Sequence, residues 1–233
     1  MSKVLIIANA EFSENKGVMI SSPVTQTMVN ALKQAIKEDN PKIDVEVVAT
    51  ASLWSSFHQY KNNQQEYLYC PLSIQLPDWF YFPQKKLYKH CQQVNQLRSW
   101  VNSELGYGIN NPSYKTLGDL WLPVVLTSKG PLYGEVIREG EIPNFYQQPL
   151  DLDDRIRQTL YTLAKQVLEH LLATPSVYLL QFSLLGKEVI FDKLWPFPAA
   201  PAIASIKVQN PNLFKCHWNC LNNQPVLDLV VSP

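Results

Sequence analysis

Apolar residues run almost unbroken through Lys3 to Ala10, KVLIIANA, which predicts a central parallel strand covered on both faces. A loop over Glu11 to Ile20 follows. Ser21-Ser22-Pro23 then offers a capping serine and a proline suited to a first helical turn. Val24, Met28, Ala31, Leu32, Ala35 and Ile36 recur at helical spacing as far as Asn40-Pro41, and a second strand is expected at Val45 to Thr50. Such a β-α-β unit implies a right-handed crossover between parallel strands.

Ala51 to Pro83 has no clean period. Trp54, Phe57, Tyr60, Tyr67, Tyr69, Trp79, Phe80, Tyr81 and Phe82 alternate with polar residues, and Pro71, Pro77 and Pro83 act as breakers. The segment reads either as a satellite core under a long loop or as an aromatic surface for a ligand or a protein partner. From Lys85 to Leu105 the pattern returns to one helix, with Leu87, Cys91, Val94, Leu97, Val101 and Leu105 on one face and Gly106 at its end.

Pro112 to Leu120 is a connection. Leu122 to Ser128 and Leu132 to Arg138 read as a strand and its return, joined at Ser128-Lys129-Gly130-Pro131. Pro143 and Pro149 mark another loop. Asp151 and Asp153 are alternative caps for a helix striped by Ile156, Leu160, Leu163, Val167 and Leu171, which Pro175 ends. Val177 to Leu185 and Glu188 to Trp195 then form a hairpin around Leu185-Gly186-Lys187. Short strands are expected at Ala204 to Val208 and Val226 to Val231. Between them, Cys216, Trp218 and Cys220 would share a strand face. The fold class is α/β: an N-terminal Rossmann-like unit with parallel strands over 1–84, then a mixed α+β part over 85–233.

Composition narrows the function. Of 233 residues, 46% are apolar, enough for a substantial core, and 20 basic side chains balance 20 acidic ones. That balance argues against nucleic acid and anionic lipid as partners. No apolar run reaches the roughly 18–20 residues of a bilayer span, and Met1-Ser2-Lys3 leads directly into a strand, so the expected location is the cytoplasm. Four scattered cysteines are no disulfide framework, and Cys91 on its helical stripe reads as a small buried hydrophobe. Cys216, His217 and Cys220 lack a second ligand pair for zinc. With 8 glycines against 17 prolines, a glycine-rich phosphate cradle is not expected. Asn9, Ser13, Ser21 and Ser22, at the carboxyl end of the first strand, are the candidates for a phosphate or substrate loop. Capping alone also accounts for the serines.

From Lys85 onward the element order resembles the ATP-grasp ligases, in particular the carboxyaminoimidazole ribonucleotide synthetase branch. Three pieces carry the resemblance: Glu104-Leu105-Gly106-Tyr107 with Asn111-Pro112-Ser113-Tyr114; Leu122 to Lys129 with Tyr133-Gly134, similar to a nucleotide-binding strand and loop; and Val189 to Pro198, similar to a terminal strand ending in Pro-x-Pro. The resemblance implies ATP and Mg²⁺ as cofactors, carboxylate-amine ligation as the activity, nucleotide contacts at Lys129, Tyr133, Gly134 and Lys193, and a metal contact at Asp192. The family's first lysine falls at Thr127, and its two acidic metal positions fall near Gln181 and Lys193. Because carboxylates hold Mg²⁺ and cations neutralise phosphates, these departures imply a reduced relative without full Mg-ATP chemistry that binds a nucleotide or another small phosphorylated ligand. Lys3 to Thr50 also resembles the opening of flavodoxin-like quinone reductases, with Asn9 to Ser22 as the flavin phosphate loop. A non-catalytic interaction module using residues 54–82 is the remaining alternative.

Overall fold

A computed structural model describes residues 3–13, 18–55, 67–110 and 118–231. Phe57, His58, Tyr60 and Asn111-Pro112-Ser113-Tyr114 therefore lie outside the described residues. The chain divides into two compact units, Met1–Lys85 and Lys86–Pro233.

In the first unit, strand β1 (Lys3–Ala8) is buried from Val4 onward. It pairs in parallel with β4 (Asp44–Ala49) on one side and β5 (Tyr67–Leu72) on the other. Helix α1 (Pro23–Asp39) starts where Ser22 Oγ accepts from Thr25 N at 3.1 Å, and it buries Met28, Val29, Leu32, Ala35 and Ile36. The expected loop after β1 is instead a small hairpin, β2 (Ala10–Ser13) against β3 (Val18–Ser21). The expected breaker Pro71 lies within β5. A proline is tolerated there because β5 is an edge strand whose outer side needs no donor. A short helix α2 (Thr50–Ser55) follows β4.

Much of the aromatic segment packs inward. Tyr69, Phe80 and Phe82 are buried, with Tyr69 and Phe80 edge to face at 5.2 Å. Trp54 and Tyr81 remain exposed.

The second unit opens with two helices rather than one, α3 (Lys85–Gln92) and α4 (Val94–Leu105), separated at Gln93. Gly106 closes α4 in the left-handed conformation at φ 73°, which glycine adopts without a Cβ penalty. The core is a seven-stranded sheet of β6 (Gly108–Ile109), β7 (Leu120–Thr127), β8 (Gly130–Tyr133), β9 (Val136–Glu139), β10 (Tyr146–Leu150), β11 (Ser176–Leu185) and β12 (Glu188–Trp195). Its order is β10-β9-β7-β11-β12-β6, and β8 lies along the same edge of β7 as β9.

The single return strand expected after β7 is therefore two strands. They meet where Gly134 N donates to Pro123 O at 2.9 Å. The segment expected as a loop around Pro143 and Pro149 supplies β10 instead.

Helix α5 (Asp154–His170) is capped by Asp153, not Asp151, through Arg155 N at 2.9 Å. The stretch expected as a strand at Ala204 to Val208 is helical, a 3-10 turn (Ala200–Ala204) followed by α6 (Ser205–Val208). The supposed strand carrying Cys216 and Cys220 is α7 (Leu213–Leu221), capped by Asn212. Of Val226 to Val231, only Val230–Val231 forms a strand.

The further β-α repeats that a flavodoxin-like fold needs are absent among the described residues. No helix there is long and apolar enough to cross a membrane.

Candidate functional site

The carboxyl ends of β1, β4 and β5 surround a cleft of about 680 Å³, lined by Asn9, Ala10, Ser21, Ser22, Thr50, Ala51, Trp54 and Gln75. Parallel strands set up this position. Each strand ends on a polar side chain or loop at the same edge of the sheet, beside the start of α1.

Ser73 Oγ accepts from Gln75 N at 3.2 Å and donates to Asn9 Oδ1 at 2.6 Å. Thr50 Oγ1, bonded to Ala8 O at 3.1 Å, lies 3.4 Å from the same Asn9 oxygen. With its oxygen engaged on that side, Asn9 has its amide N–H groups as the remaining donors. Ser22 Oγ caps α1 and contacts Thr25 Oγ1 at 3.0 Å, while Ser21 Oγ donates to Gln26 Oε1 at 3.3 Å. Capping and a place in the cleft thus coexist at Ser22. The structure gathers Asn9, Ser21 and Ser22, and the side chain of Ser13 lies outside the described residues. Trp54 comes from the aromatic segment offered as a surface for a ligand or partner, whereas Thr50 and Gln75 were not singled out by sequence reasoning.

The four residues expected to contact a nucleotide in the second unit do not converge. Lys129 sits exposed at the β7–β8 turn, beside a hollow of about 130 Å³ shared with Thr127, Cys220 and Pro225. Lys193 pairs with Gln181, which in turn pairs with Trp121 at the other end of β7. Six residues at about 3.3 Å each separate Trp121 from Thr127, roughly 20 Å along the strand. Tyr133 stacks on Tyr161 at 4.2 Å and donates to Tyr161 O at 3.1 Å. A Cβ on Gly134 would stand 3.2 Å from the Pro123 ring, so this glycine serves strand packing. The expected nucleotide strand is a core strand of the same sheet that carries Lys193, which is why Lys129 and Lys193 diverge.

Asp192 is fully buried and is the extra residue of a bulge: Gln181 pairs with Lys193, and Phe182 with Phe191. Its Oδ1 is bound by the Arg98 guanidinium, its Oδ2 accepts from Gly118 N at 2.7 Å, and its main-chain oxygen accepts from Arg98 Nε at 2.8 Å. The expected metal contact is instead one half of a buried ion pair.

The donor set does not fit Mg²⁺, which takes hard oxygen ligands. Gln181 Nε2 donates to Gly118 O, and its Oε1 accepts from Trp195 Nε1 at 2.9 Å. Lys193 is a cation with its Nζ 4.2 Å from the Trp195 ring centre. Among the described residues no three His, Cys, Asp or Glu side chains cluster in a way that could hold a metal. Burial raises the thiols of Cys70 and Cys91 to about 12 and that of Cys220 to about 11, and also raises Cys216, so none is poised as a thiolate.

Gly118 joins these contacts, since its N–H meets Asp192 and its oxygen meets Gln181. A Cβ there would fall 2.5 Å from Phe182 O and 2.7 Å from Phe182 C. Gly118→Ala is therefore expected to cost about 1–3 kcal/mol in urea unfolding. A loss below about 0.5 kcal/mol would mean that the backbone yields at this point. Arg98 and Gly118 were not anticipated. The available signal was a lone arginine beside the apolar stripe of α4.

No family model matches the chain. In sequence it is 30% identical over 108 residues to the formate-dependent phosphoribosylglycinamide formyltransferase of Prochlorococcus marinus (strain MIT 9515), 45% of this chain and 27% of that protein. The corresponding enzyme of Synechococcus sp. (strain CC9902) is 30% identical over 86 residues, 37% of this chain and 22% of that one. The matched part thus spans about a quarter of these curated relatives.

Among solved structures, glycinamide-RNase-transformylase T from Mycobacterium tuberculosis superposes with a TM-score of 0.70 at 13% identity, over 98% of this chain and 83% of that one. N5-carboxyaminoimidazole synthase from Aspergillus clavatus, solved with ADP and 5-aminoimidazole ribonucleotide, gives 0.67 at 10% identity, over 97% and 78%. The N5-carboxyaminoimidazole ribonucleotide synthetase of Thermotoga maritima gives 0.66 at 10%, over 98% and 78%. Parallel three-stranded sheet, mixed second sheet and these superpositions agree: the chain has the ATP-grasp fold seen in the N5-carboxyaminoimidazole ribonucleotide synthetase and glycinamide transformylase structures.

Proposed function

We propose that this protein binds a small phosphorylated ligand of nucleotide type and does not carry out Mg-ATP-dependent ligation. The cleft at the ends of β1, β4 and β5 supports the binding half most directly. Its volume lies in the range of small-molecule sites, and Asn9, Ser21 and Ser22 supply uncharged hydrogen-bonding groups beside the start of α1, where an anion is favoured. The exchange of carboxylates for Gln181 and Lys193 supports the non-ligase half. ADP and 5-aminoimidazole ribonucleotide, which the Aspergillus clavatus structure holds, are the first ligands to consider. The interaction-module reading is weaker, because Tyr69, Phe80 and Phe82 are already covered by one another.

Thermal unfolding with ADP, ATP or 5-aminoimidazole ribonucleotide tests the reading. A ligand at 100 times its dissociation constant stabilises the native state by about 2.7 kcal/mol, which for a chain of this size is roughly 5–10 °C. The shift should shrink in Asn9→Leu and persist in Lys129→Ala. If well-folded protein shows no shift with any of the three, the binding proposal fails.

A further inference from the structure

We propose that the sheet face around Lys193 is an oxyanion site that works without a divalent cation, with the Lys193 ammonium meeting phosphate oxygens directly. Only the nature of the physiological ligand rests on the functional reading above; the site itself stands on the geometry of β11 and β12.

Lys193 and Gln181 are direct cross-strand partners, so their side chains share a face. Trp195, two residues along the same strand, shares that face too. Its indole Nε1 holds Gln181 Oε1 while its ring lies under Lys193 Nζ. The three side chains thus form one fixed arrangement in which the ammonium is positioned from below by an aromatic ring. A ring face engages only part of an ammonium, which has three N–H donors.

No carboxylate completes the set. Among the described residues Lys193 has no salt-bridge partner, and the neighbouring Asp192 directs both oxygens to Arg98 and Gly118. Lys193 is half-buried, and desolvation lowers its basicity, with Asp192 acting in the opposite sense. A cation that is partly stripped of water, oriented and not neutralised is arranged to accept an anion from outside the chain.

The same arrangement repels a metal ion. A divalent cation at this face would meet the ammonium, and Gln181, whose amide oxygen is already bound to Trp195, is no substitute for a carboxylate. Phosphate charge would then be neutralised by a residue of the chain, with no ion to recruit.

Inorganic pyrophosphate, titrated into the full chain and followed by tryptophan fluorescence, probes the site without any nucleotide. A saturable change should occur in EDTA and should not tighten when Mg²⁺ replaces EDTA. Lys193→Met should weaken it about tenfold, the scale of one charge-assisted hydrogen bond, while Lys193→Arg should stay within about twofold of wild type. Electron paramagnetic resonance should find Mn²⁺ free in solution with the wild-type chain.

Pyrophosphate that binds only with Mg²⁺, a Lys193→Met protein that titrates like wild type, or Mn²⁺ captured by the wild-type chain would each overturn the proposal. Should Lys193→Met fail to fold, the Mg²⁺ comparison and the arginine variant still decide it. Pyrophosphate binding combined with no response to ADP, ATP or the ribonucleotide would remove the functional reading and leave this site in place.

Discussion

Replacing Arg98 with methionine is expected to destabilise the protein by about 3–5 kcal/mol, the cost of leaving a buried charge without its partner. Asp192 is wholly inaccessible and Arg98 nearly so. The guanidinium binds both the carboxylate and the main-chain oxygen of Asp192. In the variant, Oδ2 keeps the Gly118 N–H, but the carboxylate loses its ion-pair partner and the Lys193 ammonium beside it makes no salt bridge in its place. Thermal melting should fall by roughly 6–20 °C for a chain of this length. The double variant Arg98→Met/Asp192→Asn removes the charge yet keeps an acceptor for Gly118, and at least half of the loss should return. An Arg98→Met loss below about 1 kcal/mol would show that the carboxylate finds water or another donor, and the buried-pair account would be wrong.

The second large effect is an acid sensitivity located at His217. This residue is buried in α7, where its Nδ1 faces Ser176 Oγ at 3.1 Å and Val177 N at 3.5 Å. The main-chain N–H can only donate, so Nδ1 is an acceptor and the ring proton belongs on Nε2, which is buried without a partner among the described residues. Charging the ring would put a proton where an acceptor is needed, and burial lowers its pKa from 6.5 to about 3.

The sign follows from linkage. Above pH 6.5 the ring is neutral in both states and its contribution is complete. From pH 6.5 down towards 3 only the unfolded chain takes up the proton, and stability falls by about 1.4 kcal/mol per pH unit. At pH 5 the loss is about 2 kcal/mol. Urea unfolding at pH 7.5 and pH 5 should therefore separate wild type from His217→Gln, which has no titrating ring. If both lose the same stability on acidification, His217 is not the cause.

Local patterns that matched tertiary demands were legible. Lys3 to Ala8 is apolar at nearly every position because both faces of β1 are covered. Ser22-Pro23 fixes the start of α1 by capping, and the hairpin of β11 and β12 follows from its composition and short turn. Segments decided by distant contacts were not. In α7, Phe214, Cys216, His217, Trp218 and Cys220 are all buried, so no polar stripe reveals the helical period, and alternate residues mimic a strand. The stripe of α3 and α4 stays in phase across Gln93, which hides the break.

The candidate residues of the two units differ in the same way. Asn9, Ser21 and Ser22 follow from the general rule for strand ends. Likeness over a few residues could not reveal which end of a sheet Lys129 would occupy. The partners of Asp192 stand 94 and 74 residues away in the chain, beyond the reach of any local period.

The hairpin of β2 and β3 has a consequence for how recognition at the first unit can change. A glycine-rich turn after a first strand holds an anion with main-chain N–H groups, which are the same whatever the side chains. Here Ala10 to Ser13 and Val18 to Ser21 face each other in an antiparallel ladder, so many of those main-chain donors are occupied within the hairpin. On the proposed function, recognition at this end of the sheet falls to the side chains of Asn9, Ser21 and Ser22. Single substitutions among them are then expected to retune what the cleft accepts while the backbone of the hairpin stays as it is.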